Sequence, residues 1–268
     1  MPTLTSHLTS HPQTAEAYTR ATQSAFLSLA GQGRLPRPVL SQWLSQDRLY
    51  AQAYVRFIGG LLARLRLPVA KAADAVEWRV LRVLKDALDG IVRELAFFED
   101  TAARYGLDLA AGPGEASENS SAGFGPNRVT EAYVDLFDSF GARHGGAQAA
   151  SVAGGERTLL EGLVLLWATE KVYLDAWTYA REQGAGREGG KTGEDLDGGA
   201  LRREFIPNWT SEEFKGFVDE IQGCLDEYAA AQGGEGVQDR ALELWKHVLQ
   251  LEEGFWPHVN LQDVASTM

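Results

Sequence analysis

Cysteine, basic charge and long apolar runs are scarce in this chain of 268 residues. Its one cysteine, Cys224, excludes an intrachain disulfide framework and a cysteine-rich zinc site. The formal net charge of −12 disfavours binding to a nucleic-acid backbone, which requires a basic patch. The stretch MPTLTSHLTSHPQ has neither a basic run nor an apolar core, and no segment is apolar enough to cross a bilayer. We therefore expect a cytoplasmic protein that binds neither nucleic acid nor membrane.

Helical periodicity dominates the chain, and strand-like alternation is almost absent. Helices are predicted at about 13–31, 37–65, 70–105 (with a break near Asp89–Gly90), 127–143, 156–184, 210–231 and 237–256. Three Gly-rich segments, 109–127, 141–156 and 182–199, are typical of surface insertions. The predicted architecture is an all-α, single-domain helical bundle over 13–262, with tails at 1–12 and 263–268.

Three of the predicted helices carry a carboxylate within an apolar stripe. One face of SQWLSQDRLYAQAYVRF is shared by Trp43, Asp47, Tyr50 and Tyr54. Glu170 lies on the apolar stripe of the helix at 156–184, and Glu252 lies on that of the last helix. The recurrence is unusual because an ionised carboxylate in a dry interior costs several kcal/mol unless it is paired or hydrogen-bonded.

Each acid alone could be a structural hydrogen-bonding group. If the three faces converge, they form an aromatic pocket with an acidic floor, which suits a flat, basic, nitrogenous ligand. Burial would also raise the pKa of one carboxyl towards neutrality, as a general acid or base requires. The sequence has no Glu-x-x-His pair on these stripes for a di-iron site, no haem crevice and no G-x-S-x-G elbow. We expect neither a metal nor a cofactor.

Two motifs resemble signatures of the TenA (thiaminase II-like) family. They are W-L-x-Q-D-x-x-Y at 43–50 and E-x-x-F-W at 252–256, and NWTSEEF at 208–214 is similar to a third. The resemblance extends over about residues 12–262. It implies a haem-oxygenase-like all-α fold without haem, an active site for the aminopyrimidine half of thiamin, and a homo-oligomer.

The resemblance also implies roles for individual residues. Asp47 would hold the amino group and ring nitrogen of the pyrimidine, and Glu252 would act as general acid or base. Four aromatic residues match pocket positions of the family: Tyr50, Tyr133, Trp209 and Phe255. Trp43 and Tyr54, from the aromatic stripe around Asp47, are also predicted to bind the substrate. Trp209 stands where many members have tyrosine, so a hydroxyl contact is lost and a stacking wall is kept.

One departure from the family pattern determines the predicted activity. The thiaminase branch has a nucleophilic cysteine on the helix matching 156–184, whereas this chain has none there and Cys224 lies in another helix. Glu170 resembles the glutamate of a cysteine-less branch linked to thiamin salvage. We therefore predict a C–N hydrolase that converts aminopyrimidine or formylaminopyrimidine to hydroxymethylpyrimidine.

Glu170 and Glu252 are the predicted catalytic acid/base pair, and the sequence does not indicate which of them activates water. It does not identify the true substrate either. Three alternatives stay open: a non-catalytic pyrimidine-binding protein, thiaminase II-type cleavage of thiamin, and an oxidase-type metalloprotein.

Overall fold

The computed structural model describes residues 2–69, 75–112, 124–141, 157–185, 195–232, 234 and 236–259, and all regular structure within them is helical. The helices are α1 Leu4–Thr9, α2 Ala15–Thr22, α3 Ala25–Gly31, α4 Arg37–Arg64, α5 Val76–Tyr105, α6 Arg128–Asp138, α7 Leu159–Gly184, α8 Ile206–Trp209, α9 Glu212–Gln232 and α10 Val237–Phe255. A π-helical turn, Leu201–Phe205, leads directly into α8. The predicted all-α fold is confirmed.

Each predicted helix has an observed counterpart, although α6 ends at Asp138, before the predicted end at 143, and neither α8 nor the π-helical turn before it is predicted. Two predictions about helix continuity also differ from the structure. The first predicted helix is divided into α2 and α3, where the side chain of Ser24 accepts a hydrogen bond from the Leu27 N–H and caps α3. The predicted break at Asp89–Gly90 is wrong, because α5 is continuous through Gly90. One glycine costs a helix only about 1 kcal/mol, and the buried face of α5 before and after Gly90 offsets it.

Residues 1–12, predicted as a tail, contain the additional helix α1. Leu8 on α1 is fully buried. Both the backbone N–H and the hydroxyl of Thr5 donate to the carboxylate of Asp226 on α9, at 2.9 and 2.8 Å. Most of the three Gly-rich segments, and residues 263–268, lie outside the described residues.

The central helix of the fold is α7, which packs against α3, α9 and α10. In the first half of α7, apolar residues occupy all faces of the helix, and every residue from 160 to 169 is buried, including the polar Glu161 and Thr169. Thr158 and Glu161 form a capping box that fixes where the helix begins. Glu170 is the first half-buried residue after the buried run, so the packing of α7 determines where this carboxylate lies.

Indole rings fill the core beside α7. Trp43 stacks on Trp256 with ring centroids 5.7 Å apart and meets Trp177 edge-on at 5.3 Å. Trp177 in turn packs against Trp209 at 4.5 Å. These contacts connect α4, α7, α8 and the end of α10, and such aromatic pairs contribute about 0.5–1.5 kcal/mol each beyond their buried area.

Two neighbouring glycines of α4 have opposite surroundings, and they provide a test of the packing. A Cβ at Gly60 would lie 2.6 Å from the carbonyl oxygen of Phe140, whereas a Cβ at Gly59 would meet nothing within 4 Å. We predict that Gly60→Ala lowers the free energy of unfolding by about 1–3 kcal/mol, because α4 and the backbone after α6 must separate.

Gly59→Ala is the matched control and should raise the free energy of unfolding by about 0.5–1 kcal/mol, because an exposed helical glycine is replaced. Urea denaturation measures both effects. A Gly60→Ala protein as stable as the wild type would contradict the close approach of the two segments.

Candidate functional site

A cavity of about 1080 Å³ lies between α4, α5, α7, α8 and α9. Its aromatic wall consists of Tyr50, Tyr54, Phe97, Phe98, Tyr173, Trp209, Phe214 and Phe217. Three acids that are not exposed line its interior, namely Asp47 of α4, Glu94 of α5 and Glu170 of α7. The exposed charged residues at its rim are Asp86, Asp89, Arg93, Glu213 and Glu220. The cavity therefore combines flat apolar surfaces with carboxylate acceptors.

Asp47 and Glu170 are held by a reciprocal exchange of hydrogen bonds between α4 and α7. The hydroxyl of Tyr173 on α7 donates to Oδ2 of Asp47 at 3.1 Å. The hydroxyl of Tyr54 on α4 donates to Oε1 of Glu170 at 2.6 Å. Tyr54 lies two turns from Asp47, and Tyr173 lies one turn from Glu170, so each helix supplies one acid and one donor. This pairing fixes both carboxylates at the cavity.

Glu94 is a site residue that the sequence analysis does not identify. Its Oε1 accepts a hydrogen bond from the indole N–H of Trp209 at 2.5 Å, and its Oε2 accepts one from the side-chain amide of Asn208 at 3.2 Å. Glu94 lies three residues after Ile91 and four before Phe98, so it too is a carboxylate within an apolar stripe. That pattern could have identified it.

Trp209 is predicted as a stacking wall for a ligand. In the structure its indole N–H donates to Glu94, and its ring packs against Phe205 at 4.8 Å and Trp177 at 4.5 Å.

Glu252 lies behind the cavity wall. It is 3% exposed, its Oε1 accepts a hydrogen bond from the hydroxyl of Tyr133 at 2.5 Å, and its Oε2 has no partner among the described residues. The ring of Tyr50 meets that of Tyr133 edge-on at 5.0 Å and lies 5.8 Å from that of Phe255. Because Tyr50 also lines the cavity, its ring separates Glu252 from the open space.

The predicted site residues thus fall into three groups. Those that line the cavity are Asp47, Tyr50, Tyr54, Glu170 and Trp209. A second layer behind Tyr50 contains Tyr133, Glu252 and Phe255. Trp43, predicted to bind the substrate, does not line the cavity: it is 1% exposed and packs against Trp177 and Trp256 in the core.

Burial raises the pKa of all four acids of this region. Desolvation is the largest cause in each case, and it brings the pKa of Glu94 and of Glu170 to about 7 and that of Glu252 to about 8. The pKa of Asp47 is raised well above its usual range by burial, and next by the charge of Glu94. No Lys, Arg or His of the described residues forms an ion pair with these acids. Glu94 and Glu170 can therefore both accept and donate protons near neutral pH.

Cys224 lies outside the cavity. It is buried on α9, and burial raises the pKa of its thiol to about 11. Within the described part of the chain, no group of three or more His, Cys, Asp or Glu side chains is arranged to hold a metal ion. No helix there combines the length and the apolar character that a membrane span needs.

Solved structures of TenA homologues have this fold. The TenA homologue from Pyrococcus furiosus superposes with a TM-score of 0.67 at 23% identity, over 98% of this chain and 99% of its own. The TenA homologue from P. horikoshii OT3 gives 0.65 at 16%, over 95% and 97%. A TenA family transcription regulator from Silicibacter sp. TM1040 gives 0.63 at 14%, over 91% of each chain. The predicted haem-oxygenase-like fold and the resemblance to TenA proteins are confirmed.

Curated proteins also resemble the chain in sequence. A probable transcription factor from Fusarium pseudograminearum (strain CS3096) is 30% identical over 289 residues, which is 94% of this chain and 53% of that protein. The chain thus spans about half of its length. A probable bifunctional TENA-E protein from Glycine max is 21% identical over 240 residues, or 89% of this chain and 86% of that protein. No family model matches the chain.

The substitution Glu252→Gln isolates the cost of burying this carboxylate. The pKa of Glu252 rises from a usual 4.5 to about 8 on folding, so the folded state binds the proton more tightly than the unfolded chain does. Stability should therefore be highest below about pH 4.5 and should fall as the pH rises through about 8. Each tenfold change in the dissociation constant corresponds to about 1.4 kcal/mol.

Urea titrations should show that Glu252→Gln loses less stability between about pH 5 and pH 9 than the wild type, by about 1 kcal/mol or more. Glu253→Gln is the matched control, since Glu253 pairs with Arg20 at the surface, and it should keep the wild-type profile. Equal pH profiles in Glu252→Gln and wild type would contradict the burial of an ionisable acid.

Proposed function

We propose that the protein is a hydrolase that cleaves the exocyclic C–N bond of an aminomethylpyrimidine, the aminopyrimidine breakdown product of thiamin. The products are hydroxymethylpyrimidine and ammonia. The observation that carries the proposal is the pairing of Asp47 with Glu170 inside one aromatic cavity, each held by a tyrosine of the other's helix. The fold shared with TenA homologues and the similarity to the TENA-E protein of Glycine max add support.

Asp47 is the proposed anchor of the pyrimidine. A carboxylate presents two acceptor oxygens, which match the exocyclic amino group of the ring and a protonated ring nitrogen beside it. The Tyr173 hydroxyl fixes the orientation of the Asp47 carboxylate. The ring of Tyr50 lines the cavity and supplies a flat surface for a heterocycle.

Glu170 is the proposed acid/base at the reacting carbon. With a pKa of about 7, its carboxylate can remove a proton from the water that attacks the methylene carbon. The C–N bond breaks as the C–O bond forms, the protonated aminomethyl nitrogen leaves as ammonia, and the proton on Glu170 passes to it to give ammonium. The hydroxyl of Tyr54 holds Glu170 in place and stabilises its charged form.

Glu252 is assigned a positioning role instead. Tyr50 separates it from the cavity, and its hydrogen bond to Tyr133 supports the ring against which Tyr50 packs. Its removal should therefore alter the shape of the Tyr50 wall more than the proton transfer itself.

Replacement of Glu170 is the direct test of the mechanism. We predict that Glu170→Gln lowers kcat for the aminopyrimidine by about 10²–10⁴-fold, while hydroxymethylpyrimidine binds with nearly unchanged affinity because Asp47 is intact. Steady-state kinetics and calorimetry measure the two quantities. Glu182→Gln is the control, because Glu182 is exposed on the same helix. Undiminished turnover by Glu170→Gln would remove Glu170 from the mechanism.

Thiaminase chemistry is disfavoured by the position of Cys224. Since the thiol is buried on α9 and its pKa is raised to about 11, it is a poor nucleophile at neutral pH. We predict that the wild type releases hydroxymethylpyrimidine from the aminopyrimidine faster than it releases thiazole from thiamin, and that Cys224→Ala leaves both rates unchanged. Chromatography of the products measures both rates. Faster release of thiazole than of hydroxymethylpyrimidine would contradict the proposed hydrolase activity.

A further inference from the structure

Glu94 is an acid of the cavity to which the proposed mechanism gives no task. It faces the cavity from α5, on a different helix from Asp47 and Glu170. Each of its oxygens accepts one hydrogen bond from α8, through Trp209 and Asn208. A carboxylate offers about four acceptor positions, so about two are left for a ligand.

Glu94 forms no ion pair among the described residues: Arg93, which also lines the cavity, pairs with Glu213 at 3.2 Å instead. The donors to Glu94, an indole and an amide, are neutral, so they fix the carboxylate without neutralising it. The charge of Glu94 acts on both Asp47 and Glu170, which places all three acids within electrostatic range of one another. A cation in the cavity would relieve this repulsion, whereas a neutral ligand would leave it in place.

We infer that Glu94 is the subsite for the exocyclic ammonium of the substrate, and that the cavity therefore selects the free amine over its N-formyl derivative. The inference rests on the proposed function and names the substrate class that the sequence leaves open. The aminomethyl nitrogen is an ammonium at neutral pH, whereas a formamide nitrogen carries no charge. The indole N–H of Trp209 fixes the Glu94 carboxylate at this position.

A pair of unreactive ligands tests the inference without turnover. The probes are 4-amino-2-methylpyrimidines that carry a 2-aminoethyl or a 2-hydroxyethyl group at position 5. Both keep the ring contacts with Asp47, so they differ mainly in the charge presented to Glu94. We expect the wild type at about pH 8 to bind the amine about tenfold more tightly or better, since a hydrogen bond to a charged group exceeds a neutral one by this order.

Substitutions on α5 test whether the preference for the amine probe depends on Glu94. In Glu94→Gln the affinity ratio should fall to within about twofold, whereas Glu94→Asp, which keeps the charge, should retain most of it. Glu99→Gln removes the same charge from the outer face of α5, where Glu99 pairs with Arg48, and should keep the wild-type ratio.

The inference is overturned by equal binding of the two probes to the wild type, by an unchanged ratio in Glu94→Gln, or by an equal loss in Glu99→Gln. Failure of the proposed function is distinguishable from these. If the wild type prefers the amine through Glu94 but hydrolyses no aminopyrimidine, the subsite stands and the hydrolase assignment fails. Failure of both probes to bind would overturn the subsite together with the pyrimidine site itself.

Discussion

Burial of carboxylates without a cation is the constraint on which this structure depends. Each acid is hydrogen-bonded by a neutral donor from another helix: Asp47 by Tyr173, Glu170 by Tyr54, Glu94 by Trp209 and Glu252 by Tyr133. A lysine or arginine would have neutralised the charge and occupied the space. Neutral donors fix the positions of the carboxylates by hydrogen bonds and leave their negative charge available to a ligand. The same choice makes the folded state less stable as the pH rises.

The acids can be held this way because they lie on helices and not on loops. The buried first half of α7 fixes Glu170, and the indole core fixes the part of α4 that carries Asp47. Hydrogen bonds that run in both directions between α4 and α7 then resist any shift of one helix along the other. A site built on such elements keeps its geometry more precisely than one built on loops.

Periodicity was sufficient to predict most of the helices, and a carboxylate within an apolar stripe was sufficient to identify Asp47, Glu170 and Glu252. The same rule applied to α5 would have identified Glu94, which lies between Ile91 and Phe98 on one helical face. The separation of Glu252 from the cavity could not be predicted, because it depends on how Tyr50 packs against rings of α6 and α10. The contact of Thr5 with Asp226 joins residues far apart in the chain, and no local pattern contains it.

The size of the cavity indicates how such a site would discriminate between substrates. At about 1080 Å³ it is at the upper end of pockets that hold drug-sized ligands, so a single pyrimidine ring does not fill it. An apolar pocket of this size cannot reject a ligand for carrying one extra small group, since steric differences of that kind give weak selectivity. Strong selectivity arises where the wrong ligand leaves a buried polar group unpaired. Discrimination in this cavity therefore depends on the carboxylates of Asp47, Glu94 and Glu170.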